Sequence, residues 1–198
     1  MATDTKEKML DTAFRLFAEK GYEGTNIREL SNALGLTKSA FYKHFESKDD
    51  VLAQIIDKLN NYYDMHFGSQ AQLPKIPESA GEFTELATKM INFTVHDERI
   101  IMSRKIILTE QFHNDRLRLL ATEHFNVGPE NFFTKIFEGM TANGTIDDCD
   151  AKMTAFSFTA PISNLILLAD RMPERMDEIL EKAEAFIKHF VDNYHIKE

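Results

Sequence analysis

The sequence predicts an all-α protein in which a short N-terminal group of helices precedes a longer helical bundle. Apolar residues recur at spacings of three and four along most of the chain, which is the pattern of amphipathic helices. No stretch alternates apolar and polar residues for long enough to predict a strand. Glycine, proline and asparagine residues fall between the periodic segments, where they predict helix ends and turns.

The first predicted helix lies in KEKMLDTAFRLFAEKGY, residues 6–22. Gly21 predicts its end, because glycine is common where a helix stops. The apolar residues of this segment form a single stripe, which consists of Met9, Leu10, Ala13, Phe14, Phe17 and Ala18.

The second and third predicted helices are both short. Asn26 predicts the N-cap of the second helix, Glu29 completes a capping box three residues later, and Gly35 ends the helix. Thr37 is the predicted N-cap of the third helix, which runs from Lys38 to Phe45.

A fourth helix is predicted from residue 48 to residue 67. Ser47 and Asp50 form the Ser-x-x-Asp pattern of a helix start, directly before the apolar stripe of VLAQIIDKLNNYYDMHF. A loop marked by Pro74 and Pro77 follows. The remaining chain is predicted to form helices at about residues 80–96, 98–111, 114–126, 129–142, 150–169 and 174–194.

Charge is distributed unevenly along the chain. The formal net charge is −9, yet residues 1–48 hold eight Lys and Arg against seven Asp and Glu, which leaves a balance of −10 for residues 49–198. Since Lys and Arg carry phosphate binding, only the N-terminal part has a charge compatible with nucleic acid. The distribution predicts two tasks on one chain.

The composition also disfavours membrane and secreted proteins. Cys149 is the single cysteine, which excludes an internal disulfide framework and suits a reducing cytoplasm. The longest apolar run, PISNLILLA, is shorter than the ~18 residues of a membrane span. The mixed charges of MATDTKEKMLD are unlike a secretory signal. We therefore predict a cytoplasmic protein with no membrane partner.

No sequence motif predicts an enzyme, a metal site or a cofactor. The histidines lack the spacing of metal ligands. GMTANGTI has glycines but no lysine of a phosphate-binding loop, and the chain has no nucleophile motif or paired-carboxylate signature.

The segment NIRELSNALGLTKSAFYKHF, residues 26–45, has the layout of a helix-turn-helix. With its last two phenylalanines facing inward, Lys38, Ser39, Tyr42 and Lys43 are expected on the outer side of the second helix, where base edges are met. Free N–H groups at helix N-termini suit phosphate oxygens. The local basic cluster thus predicts DNA binding despite the acidic total.

The longer segment LFAEKGYEGTNIRELSNALGLTKSAFYKHFESKDDVL resembles the DNA-binding region of TetR-type transcriptional repressors. The shared pattern runs Gly-aromatic, Thr, a short helix, Gly-apolar-Ser/Thr and apolar-Tyr-x-His-Phe-x-x-Lys, within about the first 55 residues. By this resemblance, the residues expected to contact the DNA backbone are Thr25, Tyr42, His44 and Lys48. Those expected to read bases are Thr37, Lys38, Ser39 and Lys43.

Two positions depart from the family pattern, and three have alternative roles. Asn26 replaces the usual Thr or Ser as an equivalent N-cap, while Ser39-Ala40 replaces a small residue followed by Thr, so no operator sequence is predicted. Tyr42 has an alternative role as a core residue. His44 has one as a hydrogen-bonded boundary residue, and Lys48 as a solvated lysine at a helix start.

The resemblance implies a DNA-binding domain at residues 1–47 and a ligand-binding and dimerisation domain at residues 48–198, with residues 48–67 as the connecting helix. Phe and Met are abundant in the second domain, and such bulky, adaptable side chains can surround an apolar cavity. The implied ligand is a small effector. The residues expected near it are His96, Arg104, Thr109, Phe112, Phe133, Phe137 and Asn164.

The resemblance also implies that the last two helices pair with those of a second copy. A twofold dimer places two recognition helices about one DNA turn apart, ~34 Å or farther, and predicts a repressor of a palindromic operator. The residues expected at the dimer interface are Phe158, Ile162, Leu165, Ile166, Ile179, Ala183, Phe186 and Phe190.

Two alternatives remain open at this point. One is a helical small-molecule-binding or scaffolding dimer without DNA binding, which the acidic total would permit. The other is an activator, or a regulator controlled by a protein partner in place of a small molecule.

Overall fold

The computed structural model describes residues 2–67 and 75–198. Every regular element within these ranges is helical, which confirms the predicted fold class. The N-terminal helices are α1 (Ala2–Lys20), α2 (Ile27–Ala33), α3 (Lys38–Phe41) and α4 (Lys48–Phe67). The loop predicted around Pro74 lies partly outside the described residues.

The later helices agree with the predicted ranges to within a few residues. A π-helical turn, Glu123–Val127, connects two of them, and a 3₁₀ turn, Pro173–Arg175, precedes the last. These helices are α5 (Ala80–His96), α6 (Glu98–Glu110), α7 (Asp115–Thr122), α8 (Gly128–Ala142), α9 (Ala151–Arg171) and α10 (Met176–Asn193).

The helix α3 is shorter than the predicted span of Lys38 to Phe45. Its regular α-helical part ends at Phe41. The amides of Lys43 and His44 then donate to carbonyls three residues earlier, so the chain tightens into a final turn. This turn still buries Phe45, which is 2% exposed.

The π-helical turn interrupts the single helix predicted for residues 114–126. The amide of Gly128 donates to the carbonyl of Glu123, five residues earlier. The next residue, Pro129, has no amide hydrogen and so cannot donate to a carbonyl four residues earlier. The wider π-helical turn lies directly before this proline and connects α7 to α8.

The chain forms two compact units. The first comprises Met1–His66 and Met102–Arg118, and the second comprises Phe67–Ile101 and Leu119–Glu198. The predicted domain boundary between residues 47 and 48 therefore falls inside the first unit, because α4 and most of α6 belong to it.

The core of the first unit contains the predicted apolar stripe of α1, all of whose members are buried. Phe41 and Phe45 join this core at 1% and 2% exposure, with ring centroids 5.4 Å apart. Two buried phenylalanines four residues apart fix which side of α3 faces inward. The opposite side of α3 faces solvent.

The core of the second unit contains a cluster of phenylalanine rings from α5, α8, α9 and α10. Phe158 lies among them, with ring centroids 5.2 Å from Phe83, 4.7 Å from Phe133 and 4.9 Å from Phe190. These distances are typical of favourable aromatic pairs. Residues far apart in the chain thereby hold one helical bundle together.

The helix α9 is the one described helix whose length and composition would allow it to cross a membrane. One such helix is weak evidence for a membrane span, because a core helix can have the same length and composition, so it does not contradict the prediction of no membrane partner. Only 39% of its apolar stretch is buried, although Phe158, Ile162 and Leu165 pack in the core of the second unit. The apolar residues of α9 therefore lie on both a buried and an exposed side of the helix.

Candidate nucleic-acid interface

The exposed side of α3 and of the turn that follows it carries the residues expected to meet DNA. Lys38, Ser39, Tyr42 and Lys43 are all exposed. Tyr42 keeps 46% of its surface, so it is not a core residue. His44 is half-buried and lies at the edge of this surface. We call these five residues the reading edge.

Two hydroxyl groups mark the start of α3. The Oγ1 of Thr37 accepts a hydrogen bond from the amide of Ala40 at 3.2 Å, as expected of an N-cap, and lies 3.0 Å from the Oγ of Ser39. Both side chains are exposed. Since a hydroxyl donates and accepts at once, both residues can also bond to DNA.

One cationic group of the reading edge lies next to an aromatic ring. The Nζ of Lys38 is 5.9 Å from the ring centroid of Tyr42, within the range of a cation–π contact. The ring of Tyr42 also meets that of the buried Phe41 edge-on, at 5.8 Å. These contacts anchor the aromatic part of the surface while its hydroxyl stays accessible.

The start of α2 is fixed by the predicted capping box. The Oδ1 of Asn26 accepts from the amide of Glu29 at 3.0 Å, and Glu29 accepts from the amide of Asn26 at 3.2 Å. Lys20 donates to the same carboxylate at 3.0 Å. The bonds from Lys20 and from the Asn26 amide hold the pKa of Glu29 below its ordinary value. The end of α1 is thus tied to the start of α2.

The side chain of Thr25 points away from the reading edge. It is 1% exposed, and its hydroxyl donates to the carbonyl of Gly21 at 2.9 Å. The buried hydroxyl is thus used within the turn before α2, and a contact between Thr25 and the DNA backbone stays a prediction.

The side chain of Lys48 is also used inside the first unit. Its Nζ donates to the carbonyl of Tyr22 at 2.9 Å and lies 4.0 Å from the ring centroid of that residue, while 22% of the side chain stays exposed. Lys48 is thus not a freely solvated lysine. A phosphate contact by its remaining N–H groups stays a prediction.

The structure reveals a role for Tyr22 that sequence reasoning missed. Its hydroxyl donates to Asp49, and its ring packs edge-on against Phe17 at 5.2 Å. Burial, followed by the bond to Asp49, raises the pKa of the Tyr22 phenol well above its ordinary value. The aromatic residue after Gly21 in the family pattern was the available signal, but its partners lie too far along the chain to be read from spacing.

A family comparison identifies the segment that contains the reading edge. Residues 9–55 match the model of the family described as "Bacterial regulatory proteins, tetR family". The N-terminal part of this chain is therefore similar to the DNA-binding region of the tetR family. The match contains α2, α3 and the start of α4, together with every residue of the reading edge.

Curated relatives of the chain are named as transcriptional regulators and not as enzymes. The HTH-type transcriptional regulator AcrR of Shigella flexneri is 31% identical over 113 residues, which are 57% of this chain and 50% of AcrR. The negative transcriptional regulator IcaR of the biofilm operon icaADBC in Staphylococcus epidermidis is 24% identical over 48% of this chain and 67% of IcaR. The chain thus spans half the length of the first relative.

Solved structures extend the likeness in fold to nearly the whole chain. The SmeT–triclosan complex matches with a TM-score of 0.76 at 20% identity, over 98% of this chain and 93% of SmeT. A second structure describes SmeT as the repressor of the Stenotrophomonas maltophilia multidrug efflux pump SmeDEF, with a TM-score of 0.69 and 19% identity over 96% and 89% of the two chains. This chain therefore shares the fold of these solved structures.

The residues expected near an effector do not form one cluster in the second unit. Phe133 and Phe137 are buried there, with ring centroids 6.2 Å apart. His96 and Asn164 are exposed, and the Nδ1 of His96 lies 2.9 Å from the carbonyl of Asn92 in its own helix. The two phenylalanines are part of the aromatic core, where packing alone accounts for them.

The other expected effector residues belong to the first unit. Arg104 is buried at 2% exposure, Thr109 is exposed and donates to the carbonyl of Lys105, and Phe112 is 81% exposed. Their effector contacts stay predictions. Among the described residues, no group of three His, Cys, Asp or Glu side chains could hold a metal ion.

Six of the eight residues expected at a dimer interface are buried in the core of their own chain. These are Phe158, Ile162, Leu165, Ile179, Ala183 and Phe190. They expose little surface in the single chain, and their role at a dimer interface stays a prediction. Ile166 and Phe186 are half-buried and pack against the same core.

Proposed function

We propose that the chain is a sequence-specific DNA-binding transcriptional regulator, a repressor that binds a palindromic operator as a homodimer and is released by a small effector. The observation that carries the proposal is the exposed reading edge on the second helix of a tetR-family helix-turn-helix. Acting on DNA in a bacterial cell, such a protein works in the cytoplasm.

In the proposed complex, some residues of the reading edge contact bases and others contact phosphates. Lys38 and Lys43 carry cations that can reach guanine O6 and N7 in the major groove. Tyr42 and His44 supply polar groups at the border of that surface, where they would contact the DNA backbone. Phosphate contacts would position the helix, and base contacts would supply the sequence preference.

The exposed side of α9 supports dimerisation through a second copy of the chain. Met153 and Phe156 are 56% and 52% exposed, and Ala160 and Leu167 follow on the same side of the helix. This stripe lies about 180° around the helix from Phe158, given 100° per residue. An apolar stripe of this kind is typical of a helix that packs on two sides.

The aromatic content of the second unit supports an apolar or amphipathic effector. Bundles of bulky side chains are places where apolar ligands bind between helices. SmeT, which shares the fold, has been solved with triclosan, so triclosan is the first compound to test. In the dimer, the two reading edges must match the spacing of the two operator half-sites. An effector that favours a conformation with a different spacing would lower the affinity for the operator.

A salt titration of DNA binding tests the proposal. The purified protein is titrated into labelled double-stranded DNA at several salt concentrations, with and without triclosan. We expect the logarithm of the binding constant to fall linearly with the logarithm of salt, as counterions are released from phosphates. A folded dimer that binds no DNA at low salt would instead favour a helical ligand-binding or scaffolding dimer.

A further inference from the structure

The turn between α1 and α2 is connected to the end of α6 by one side chain. The Oε1 of Glu110, the last residue of α6, accepts a hydrogen bond from the amide of Tyr22 at 2.9 Å. Both residues belong to the first unit, and they are 5% and 3% exposed. They are separated by 88 positions in the chain, so the bond is a long-range one.

The carboxyl group of Glu110 lies close to the backbone of residue 21, which is a glycine. Gly21 has a φ of +80°, a conformation that residues with a Cβ rarely adopt. A Cβ built at Gly21 would lie 2.7 Å from the Oε1 of Glu110. The glycine therefore serves both the left-handed turn and the close approach of Glu110.

The same turn holds the elements that carry the reading edge. The carbonyl of Gly21 accepts from Thr25, directly before α2, and the carbonyl of Tyr22 accepts from Lys48, the first residue of α4. The hydroxyl of Tyr22 donates to Asp49. The chain between Thr25 and Lys48 contains α2, α3 and the reading edge, so both of its ends are fastened to residues 21 and 22.

We propose that Glu110 is a positioning residue for DNA binding, which sets the reading edge by holding the Gly21–Tyr22 turn from the end of α6. A buried carboxyl group is costly unless it is hydrogen-bonded, so the position of Glu110 depends on the Tyr22 amide as much as the turn depends on Glu110. A change in the position of the end of α6 reaches the reading edge through this bond. The expected effect of Glu110 on DNA affinity rests on the proposed function, whereas its expected effect on the Gly21–Tyr22 turn does not.

Two conservative substitutions at Glu110 distinguish the effect of side-chain length from the effect of charge. Glu110→Gln keeps an oxygen acceptor at the same distance and removes the charge. Glu110→Asp keeps the charge and shortens the side chain by one methylene. The same shortening at Glu19, an exposed residue of α1, is the matched control.

Hydrogen exchange of the Tyr22 amide tests the role of Glu110 without DNA. We expect this amide to be protected in the wild type and in Glu110→Gln, and to exchange about tenfold faster in Glu110→Asp, with faster exchange also in α2 and α3. Glu19→Asp should match the wild type. Rapid exchange in the wild type, or equal protection in all variants, would overturn the proposal.

DNA affinity supplies the second readout. Glu110→Asp should raise the Kd by about tenfold with an unchanged salt slope, since no phosphate contact is lost, and Glu110→Gln should bind as the wild type does. Loss of affinity in Glu110→Gln but not in Glu110→Asp would show that charge, not reach, matters, and would overturn the proposal. If no variant binds DNA and the exchange pattern is as expected, the proposed function fails while the positioning role stands.

Discussion

At the scale of single residues, the polar side chains of the first unit fall into two groups. Some donate hydrogen bonds to backbone carbonyls of their own chain, and others are exposed and available to DNA. Thr25 and Lys48 each donate to a carbonyl of the turn before α2, at 2.9 Å in both cases. Lys38 and Lys43 are exposed instead, on α3 and on the turn that follows it. A buried polar group without such a bond would lower the free energy of unfolding by ~1–3 kcal/mol. The hydrogen bonds to the turn therefore stabilise these side chains in their positions.

Substitution of Lys43 should change sequence preference more than general affinity. Lys43→Ala removes a cation of the reading edge, and a lost bidentate contact to guanine costs about 1–3 kcal/mol of discrimination. Sequencing of the DNA retained from a random pool measures the preference. Lys89→Ala is the charge-matched control on exposed α5 surface. An unchanged ranking of sequences in Lys43→Ala would remove Lys43 from the base-reading set.

Substitution of Thr25 should lower stability without removing a phosphate contact. Thr25→Val has nearly the same shape but cannot donate to the Gly21 carbonyl, so the free energy of unfolding should fall by about 1 kcal/mol. Urea unfolding measures the loss, and the salt slope of DNA binding should stay the same. A smaller salt slope at unchanged stability would restore the phosphate role that the sequence suggested.

At the scale of helices, the sequence predicted most of the fold because each helix has one apolar stripe. The stripe of α1 and the ranges of α5 to α10 follow from local spacing, which needs no knowledge of the partner helix. The shorter α3 and the π-helical turn before α8 depend on individual backbone hydrogen bonds. Spacing carries no signal for such bonds.

The candidate site was predictable only in part, for a related reason. Motif position correctly indicated the exposed residues of α3, since burial of two phenylalanines fixes the outward side. It did not indicate that Glu110 would reach Tyr22, because that contact depends on tertiary packing. Likewise, the stripe of α9 that suggested a dimer is the one buried in its own unit, and the opposite stripe is exposed.

Removal of the N-cap of α2 should weaken the first unit. Asn26→Ala removes the side-chain acceptor for the Glu29 amide, and loss of a cap typically costs about 1 kcal/mol. Thermal unfolding gives the change in Tm, with Asn32→Ala on the exposed side of the same helix as the control. Equal Tm values for the two variants would mean that the capping box contributes little.

At the scale of the whole molecule, the proposed DNA binding agrees with the uneven distribution of charge along the chain. Residues 49–198 carry a balance of −10, whereas residues 1–48 are close to neutral and include the reading edge. DNA phosphates repel the acidic part, so productive encounters favour the N-terminal part. A net charge of −9 is therefore compatible with DNA binding.

Dimer formation should depend on the exposed stripe of α9. Phe156→Glu places a charge at a position that is 52% exposed in the single chain, and burial of that charge against a second copy should weaken the dimer by about 2 kcal/mol or more. Analytical ultracentrifugation over a range of concentrations measures the change. Leu119→Glu, at a position 61% exposed outside α9, should leave the dimer intact. Equal dissociation of both variants would place the interface elsewhere.

The central claim is that the reading edge selects DNA sequences for a twofold dimer. Its most direct test is selection from a random double-stranded DNA pool near physiological salt, in parallel with a variant that combines Lys38→Ala, Tyr42→Ala and Lys43→Ala. We predict that the wild type retains a palindrome of two half-sites and that the variant retains no consensus. The same palindrome in both, or no enrichment by a folded wild-type dimer, would contradict the claim.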